Sequence, residues 1–160
     1  MTWEGDWELW DGVPVAMPPS PVDRHSAVVV ELIHQLKAAL RGRTDCRCKV
    51  RAGLDWHAGP DTVHRPDVMV LCGEPDGGPY PRRPPAVAFE VLSPSTRERD
   101  RRHKKERYAH FGVANYFVID PADRLLERLI GDAPGRQSDT VEIHLHGGCR
   151  VTLPRELPAD

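Results

Sequence analysis

No apolar run in this 160-residue chain approaches the roughly 18 residues that a membrane-spanning helix needs. The richest, Ala86 to Leu92, stops at seven residues and carries a glutamate. The opening Met1-Thr2-Trp3-Glu4-Gly5-Asp6 lacks the basic and then apolar stretch of a secretory signal, so a cytoplasmic location without membrane attachment is the expectation. An excess of one charge is also missing. Lys and Arg number 22 against 24 Asp and Glu, a net charge of −2, so bulk composition advertises no polyanion partner. Cysteine is sparse, with Cys46, Cys48, Cys72 and Cys149 only. Without a signal these are expected as reduced thiols packed like small hydrophobes. One residue separates Cys46 from Cys48, too few for the usual zinc pair, and no second pair follows. No internal repeat or heptad pattern occurs.

What is abundant is punctuation. Sixteen prolines and thirteen glycines gather at junctions such as Pro18 to Pro21 and Gly73 to Pro85, which separates compact elements within one domain over residues 1–160. Trp7 to Trp10, Asp11-Gly12 and Val13 to Met17 read as a β-hairpin, because Asp-Gly accepts the positive φ of a tight turn. Ala27, Val28, Glu31, Leu32, Gln35, Leu36 and Leu40 carry a helical stripe, which predicts a helix from about Val22 to Arg41 that Ser20 or Asp23 caps and Gly42 stops. Strands are expected over Cys46–Leu54, Pro66–Cys72 and Ala86–Leu92, with Asp55–Thr62 as a turn and Gly73–Pro85 as a loop. Ser95-Thr96-Arg97-Glu98 fits a capping box for a helix from about Thr96 to Phe111, closed by Gly112. Strands at Ala114–Pro121 and Arg124–Ile130 and a hairpin about Gly147-Gly148 complete an α/β or α+β sheet flanked by two helices.

Glu90 is the anomaly, a carboxylate inside an apolar strand where an unpaired charge costs several kcal/mol. Asp67 heads the preceding apolar strand, and if the strands are neighbours the two carboxylates converge. Two such groups repel unless a cation lies between them, and hard oxygen donors suit Mg²⁺ or Mn²⁺. Asp100, Lys104 and Tyr108 are spaced four apart on the next helix, and the short Ser93-Pro94-Ser95 link keeps that helix near Glu90. Lys104 then reaches the site to orient a water or offset phosphate charge. The plainer alternative makes Asp100 and Lys104 a solvated pair and gives Glu90 an arginine partner.

These residues carry a resemblance. Arg65-Pro66-Asp67-Val68-Met69-Val70, Phe89-Glu90-Val91-Leu92-Ser93-Pro94-Ser95-Thr96, Asp100 with Lys104 and Tyr108, and Tyr116 to Pro121 resemble the Uma-two family of small endonucleases, in the PD-(D/E)XK superfamily. Glu8 to Gly12 and Pro21 to His25 also resemble it, so the likeness runs from about Trp7 to Leu153. It implies a restriction-endonuclease-like fold, a central mixed sheet flanked by helices, with an N-terminal β-hairpin and extra C-terminal strands. It implies a phosphodiesterase site in which Asp67 and Glu90 are catalytic metal ligands for Mg²⁺ or Mn²⁺. The usual lysine two residues after the glutamate is replaced by Leu92, and its role falls to Lys104. Glu8, His25 and Tyr108 match accessory positions, Tyr108 to pack or hydrogen-bond rather than react. The partner implied is nucleic acid, DNA foremost, and the assembly a homodimer.

The helix itself is basic, with Arg97, Arg99, Arg101, Arg102, Lys104, Lys105 and Arg107 against Glu98, Asp100 and Glu106. Arg97, Arg101 and Lys105 are the candidates for phosphate-backbone contact, with Arg47, Lys49 and Arg51 extending the same charge. His144 and His146 read as a surface pair, and Trp3, Trp7 and Trp10 as packing or subunit contacts. Two rivals stand beside the nuclease: a silent nuclease-fold module that binds nucleic acid or protein through this helix, and a structural dimerisation protein.

Overall fold

The computed structural model describes residues 6–17, 22–132 and 138–159. At its centre is a five-stranded sheet in the order β3 (Cys48–Ala52), β6 (Val68–Cys72), β7 (Val87–Val91), β8 (Tyr116–Ile119), β9 (Leu126–Ile130). The β7–β8 pair is parallel and the other neighbours are antiparallel, the mixed sheet expected. The parallel pair needs a crossover, which a π-helical segment Arg99–Lys104 and helix α2 (Lys105–His110) supply.

Alternation along the strands assigns two cores. Val68 and Val70, Val87, Phe89 and Val91, and Phe117 and Ile119 point to one face, where helix α1 (Asp23–Leu40) and the hairpin β10 (Thr140–His144)/β11 (Arg150–Pro154) cover them. Met69, Ala88, Leu92, Tyr116 and Val118 point to the other, beneath α2, with Trp56 and Tyr108. Glu90 shares the parity of Ala88 and Leu92, so it lies on the α2 face.

The N-terminal hairpin forms as expected, β1 (Trp7–Trp10) with β2 (Val13–Ala16), and Asp11 and Gly12 both take positive φ. Helix α1 matches within a residue at each end, but its cap position is Val22 with no side-chain cap, so the Asp23 cap does not form. Ser20, the alternative cap, lies outside the described residues, as does Trp3.

Three expectations need correction. Asp55–Thr62 is no simple turn: β4 (Trp56–Gly59) and β5 (Thr62–His64) form a bulged hairpin, and Val63 pairs with Leu9 to join it to β1. Pro60-Asp61 occupies only the bend. The second helix is not one α-helix from a Ser95 capping box, since its residues 99–104 are π-helical and no side chain caps it. Ser95 bonds the Ser93 hydroxyl instead. The cysteines are not free, because Cys46 pairs with Cys149 and Cys48 with Cys72. Cys48 and Cys72 are direct cross-strand partners in the β3–β6 register, a relation that spacing along the chain does not reveal. Among the described residues no helix is long and apolar enough to cross a membrane.

Candidate active site

The β6–β7 register pairs Val68 with Phe89 and Met69 with Ala88, so one further step sets Asp67 opposite Glu90. Directly opposed residues on one face have Cβ atoms about 4.5–5.5 Å apart, close enough for two carboxylates to share one ion. The convergence expected from sequence is thus built by strand pairing. Asp67 Oδ2 accepts the Val91 N–H at 2.7 Å and lies 3.3 Å from His25 Nε2. Helix α1 begins beside the site and aims His25 at it.

Glu90 is 4% exposed, and both of its donors engage the same oxygen. Lys104 Nζ and Tyr108 Oη each stand 2.7 Å from Oε1. Lys104 is 2% exposed and also reaches Glu8 Oε1, 3.0 Å away. The lysine therefore bridges a carboxylate of the central sheet and one of the N-terminal sheet. Glu8 is further held by the Arg65 N–H and the Trp10 indole N–H, each at 2.8 Å. The plainer alternative fails on both counts: Asp100 and Lys104 are buried, and the partner of Glu90 is a lysine with a tyrosine. The Tyr108 hydroxyl donates to the Glu90 oxygen that Lys104 also holds.

The electrostatics are uneven. Burial pushes the Glu90 carboxyl well above the usual range; Lys104 opposes this, and Asp67, Asp100 and Glu8 add to it. Glu8 is equally buried, yet Lys104 and the neighbouring His64 hold its carboxyl well below that range. For Lys104 burial alone would lower the ammonium, but Glu8, Glu90 and Asp100 outweigh it and hold it above its ordinary value. Hydrogen bonding to Asp67 raises His25 against the effect of burial. Three carboxylates, Glu8, Glu90 and Asp100, thus act on one ammonium.

This donor set fits a hard divalent cation. With Oδ2 of Asp67 and Oε1 of Glu90 engaged, Oδ1 and Oε2 accept no hydrogen bond among the described residues. Two such oxygens completed by water match the way Mg²⁺ is held. No group of three or more His, Cys, Asp or Glu side chains among the described residues is already arranged around one ion position.

The basic helix is less free than its sequence suggests. Arg97 pairs with Asp120, Arg101 with Glu127, Arg102 with Glu98 and Arg107 with Asp11. Of the three phosphate-contact candidates only Lys105 is exposed with no ion pair among the described residues. Lys49 and Arg51 are likewise exposed, and they share the face of Leu71 and Met69, which is also that of Asp67. Arg47 is paired with Glu74. His144 pairs with Glu142 on the surface.

Sequence pattern does not single out His64, which is fully buried with Nδ1 3.7 Å from Glu8 Oε2 and Nε2 facing Arg107. Its one signal in the sequence is placement three residues before Asp67, between the turn expected over Asp55–Thr62 and the strand expected over Pro66–Cys72. Asp100, by its spacing a partner for Lys104, is more enclosed than a solvated pair would be. It is 3% exposed, and the Tyr116 hydroxyl donates to its backbone carbonyl at 2.7 Å, which fixes the π-helical segment against β8.

Among solved structures the chain is similar to one described as "Crystal structure of a putative nuclease belonging to DUF820 from Anabaena variabilis ATCC 29413", at 18% identity over 84% of this chain and 75% of that one, with a TM-score of 0.64. At that identity the likeness establishes a shared fold and nothing finer. No curated protein matches. The family model Uma2, described as "Putative restriction endonuclease", matches residues 2–160. The chain accordingly belongs to the Uma2 family, the one its motifs resemble.

Proposed function

We propose that this protein is a divalent-metal-dependent endonuclease that hydrolyses phosphodiester bonds of nucleic acid, with DNA the substrate class. The observation that carries this reading is the cross-strand placement of Asp67 and Glu90, each with one carboxylate oxygen engaged and one without a donor among the described residues. Asp67 and Glu90 would hold Mg²⁺ or Mn²⁺. Such an ion polarises the phosphoryl oxygen and lowers the pKa of bound water.

The chain's own residues do the rest. Lys104, enclosed between Glu8 and Glu90, favours the ionised form of Glu90 and fixes its orientation, so it acts through Glu90 rather than on the phosphate. Tyr108 fixes the same oxygen from the next turn. His25 orients Asp67 from the α1 side. Leu92 replaces the usual lysine in this arrangement, and the Nζ of Lys104 enters from above the sheet instead.

Backbone binding falls to Lys105, Lys49 and Arg51, which have no acidic partner among the described residues. Arg97 and Arg101 join them by exchanging their acids for phosphate, since exposed pairs are worth only about 0–1 kcal/mol. The reading includes action in the cytoplasm, and a homodimer for which the edge strand β2, with Val13 61% exposed, offers a surface.

A second reading, a silent module that binds without cutting, is favoured by the lack of a preset three-ligand group among the described residues. Plasmid and single-stranded DNA incubated with Mg²⁺ or Mn²⁺ separate the two. The nuclease reading expects nicking that Asp67→Asn and Glu90→Gln abolish. Binding with no cleavage under either metal selects the silent module, and nicking undiminished in both variants overturns the site assignment.

A further inference from the structure

A surface cavity of about 200 Å³ opens between β3 and the loop that joins β6 to β7. Lys49 and Arg51 line it from β3, Leu71 from β6, and Tyr80 and Arg83 from the loop. That loop is tied down. The Asp76 carboxylate accepts the backbone N–H groups of Arg82 and Arg83 at 2.7 and 3.1 Å, and Arg83 Nε at 2.7 Å. The Pro81 carbonyl accepts the His57 N–H at 2.9 Å and the Arg82 carbonyl accepts the Trp56 indole N–H at 3.3 Å, which fastens the loop to β4. His57 then stacks on Tyr80, with ring centroids 4.6 Å apart and planes 9° from parallel. Tyr80 is nonetheless 41% exposed, and His57 does not line the cavity, so the Tyr80 ring meets it on a side other than the one His57 covers.

Charge sets the sign of the occupant. Lys49 and Arg51 are exposed with no acidic partner among the described residues. The acids at the cavity are already engaged, Asp76 by the loop and Glu74 by Arg47. In the β3–β6 register Arg51 stands opposite Met69 and Lys49 opposite Leu71, on the face of Asp67 and two and four residues along β6 from it. At a strand rise of about 3.3 Å per residue, the two cations lie about 7 and 13 Å along the sheet from that carboxylate. The cavity therefore continues the face that carries the candidate ion site.

Cations beside an exposed aromatic ring are the combination by which single strands are held, phosphates on the cations and a base on the ring. A duplex keeps its base faces stacked on one another, so Tyr80 gains a stacking partner only from an unpaired base. The volume is below the roughly 300–1,000 Å³ of drug-sized pockets, which suits one base rather than a duplex end. We propose that this cavity seats one unpaired nucleotide of the substrate strand, its base on Tyr80 and its backbone on Lys49 and Arg51. The substrate class is then DNA with a single-stranded stretch beside the cleavage point. The inference rests on the nuclease reading above and deepens it by naming the form of the substrate.

Fluorescence anisotropy of a labelled deoxythymidine strand and of a blunt hairpin duplex, each titrated with the full chain in the absence of divalent metal, tests this apart from cleavage. Tyr80→Ala should weaken single-strand binding about 5–150-fold, the loss of one stacked base, and change duplex binding by less than about twofold. Tyr80→Phe keeps the ring and should bind as the unchanged protein does. Tyr80→Leu, apolar but without a ring, should repeat the loss and serves if the alanine variant folds poorly. Single-strand affinity within about twofold of the unchanged protein in both ringless variants, or an equal loss on the duplex, would overturn the stacking site. Plasmid nicking by the unchanged protein would then leave the nuclease reading standing. Neither binding of either DNA nor nicking by the unchanged protein would overturn both.

Discussion

Replacing Lys104 with methionine removes the cation that bridges Glu8 at 3.0 Å and Glu90 at 2.7 Å while keeping a chain of similar length. Breaking a buried pair from one side costs about 3–5 kcal/mol, because the charge left behind has neither solvent nor partner. The loss falls most on Glu90, which among the described residues keeps only the Tyr108 hydroxyl, whereas Glu8 keeps the Arg65 and Trp10 N–H groups. The variant relieves the strain by taking up protons. Its buried carboxyls then have folded pKa values above their unfolded values, so stability recovers as pH falls, by about 1.4 kcal/mol per pH unit for each proton taken up. In the unchanged protein Lys104 is raised, so its contribution is complete below the ordinary lysine range and is lost only as pH rises through its folded value. It adds no slope between pH 5 and 7.

Urea unfolding followed by tryptophan fluorescence at pH 7 and pH 5 reads this directly. The deficit of Lys104→Met should be about 3–5 kcal/mol at pH 7 and markedly smaller at pH 5. Adding Glu8→Gln should recover part of it. A deficit below about 1 kcal/mol, the size of an exposed pair, or one equal at both pH values would refute the bridging role.

Thiol titration of the denatured, unreduced protein should find no free cysteine, and four would refute the pairing. By the loop-entropy argument, Cys149→Ser, which opens the 103-residue separation to Cys46, should destabilise by up to about 4.7 kcal/mol, and Cys72→Ser, which opens 24 residues, by up to about 3.5, as thermal melts would register. Changing Lys49 and Arg51 together to glutamine should lower the slope of log affinity for DNA against log salt by about 2, whereas an unchanged slope would remove β3 from the binding surface. Gly131→Ala should lower the melting temperature, because its φ is +112° and a Cβ there would stand 2.7 Å from Asn115 Oδ1.

The parts of the site legible in the sequence are those where chemistry contradicts local pattern. Glu90 stood out because nothing else in its strand is polar, and the helical spacing from Lys104 to Tyr108 brings both to one oxygen. The hairpins at Asp11-Gly12 and Gly147-Gly148 were readable from turn chemistry. What escaped depends on distant pairing. The β4–β5 hairpin hides behind Gly59-Pro60-Asp61, and its stability comes from Val63 against Leu9, 54 positions apart in the chain. Without that contact nothing places His64 beside Glu8. The cysteine pairs follow from sheet register, and the charge of the basic helix is offset by Asp11, Asp120 and Glu127 from three other segments.

The central claim is that Asp67 and Glu90, opposed across β6 and β7, share one divalent ion. Anomalous diffraction from crystals soaked in Mn²⁺ tests it most directly. The account predicts one manganese peak about 2.2 Å from an oxygen of each residue, with Lys104 still on Oε1 of Glu90. A peak elsewhere, or none with both carboxylates ordered, would contradict it.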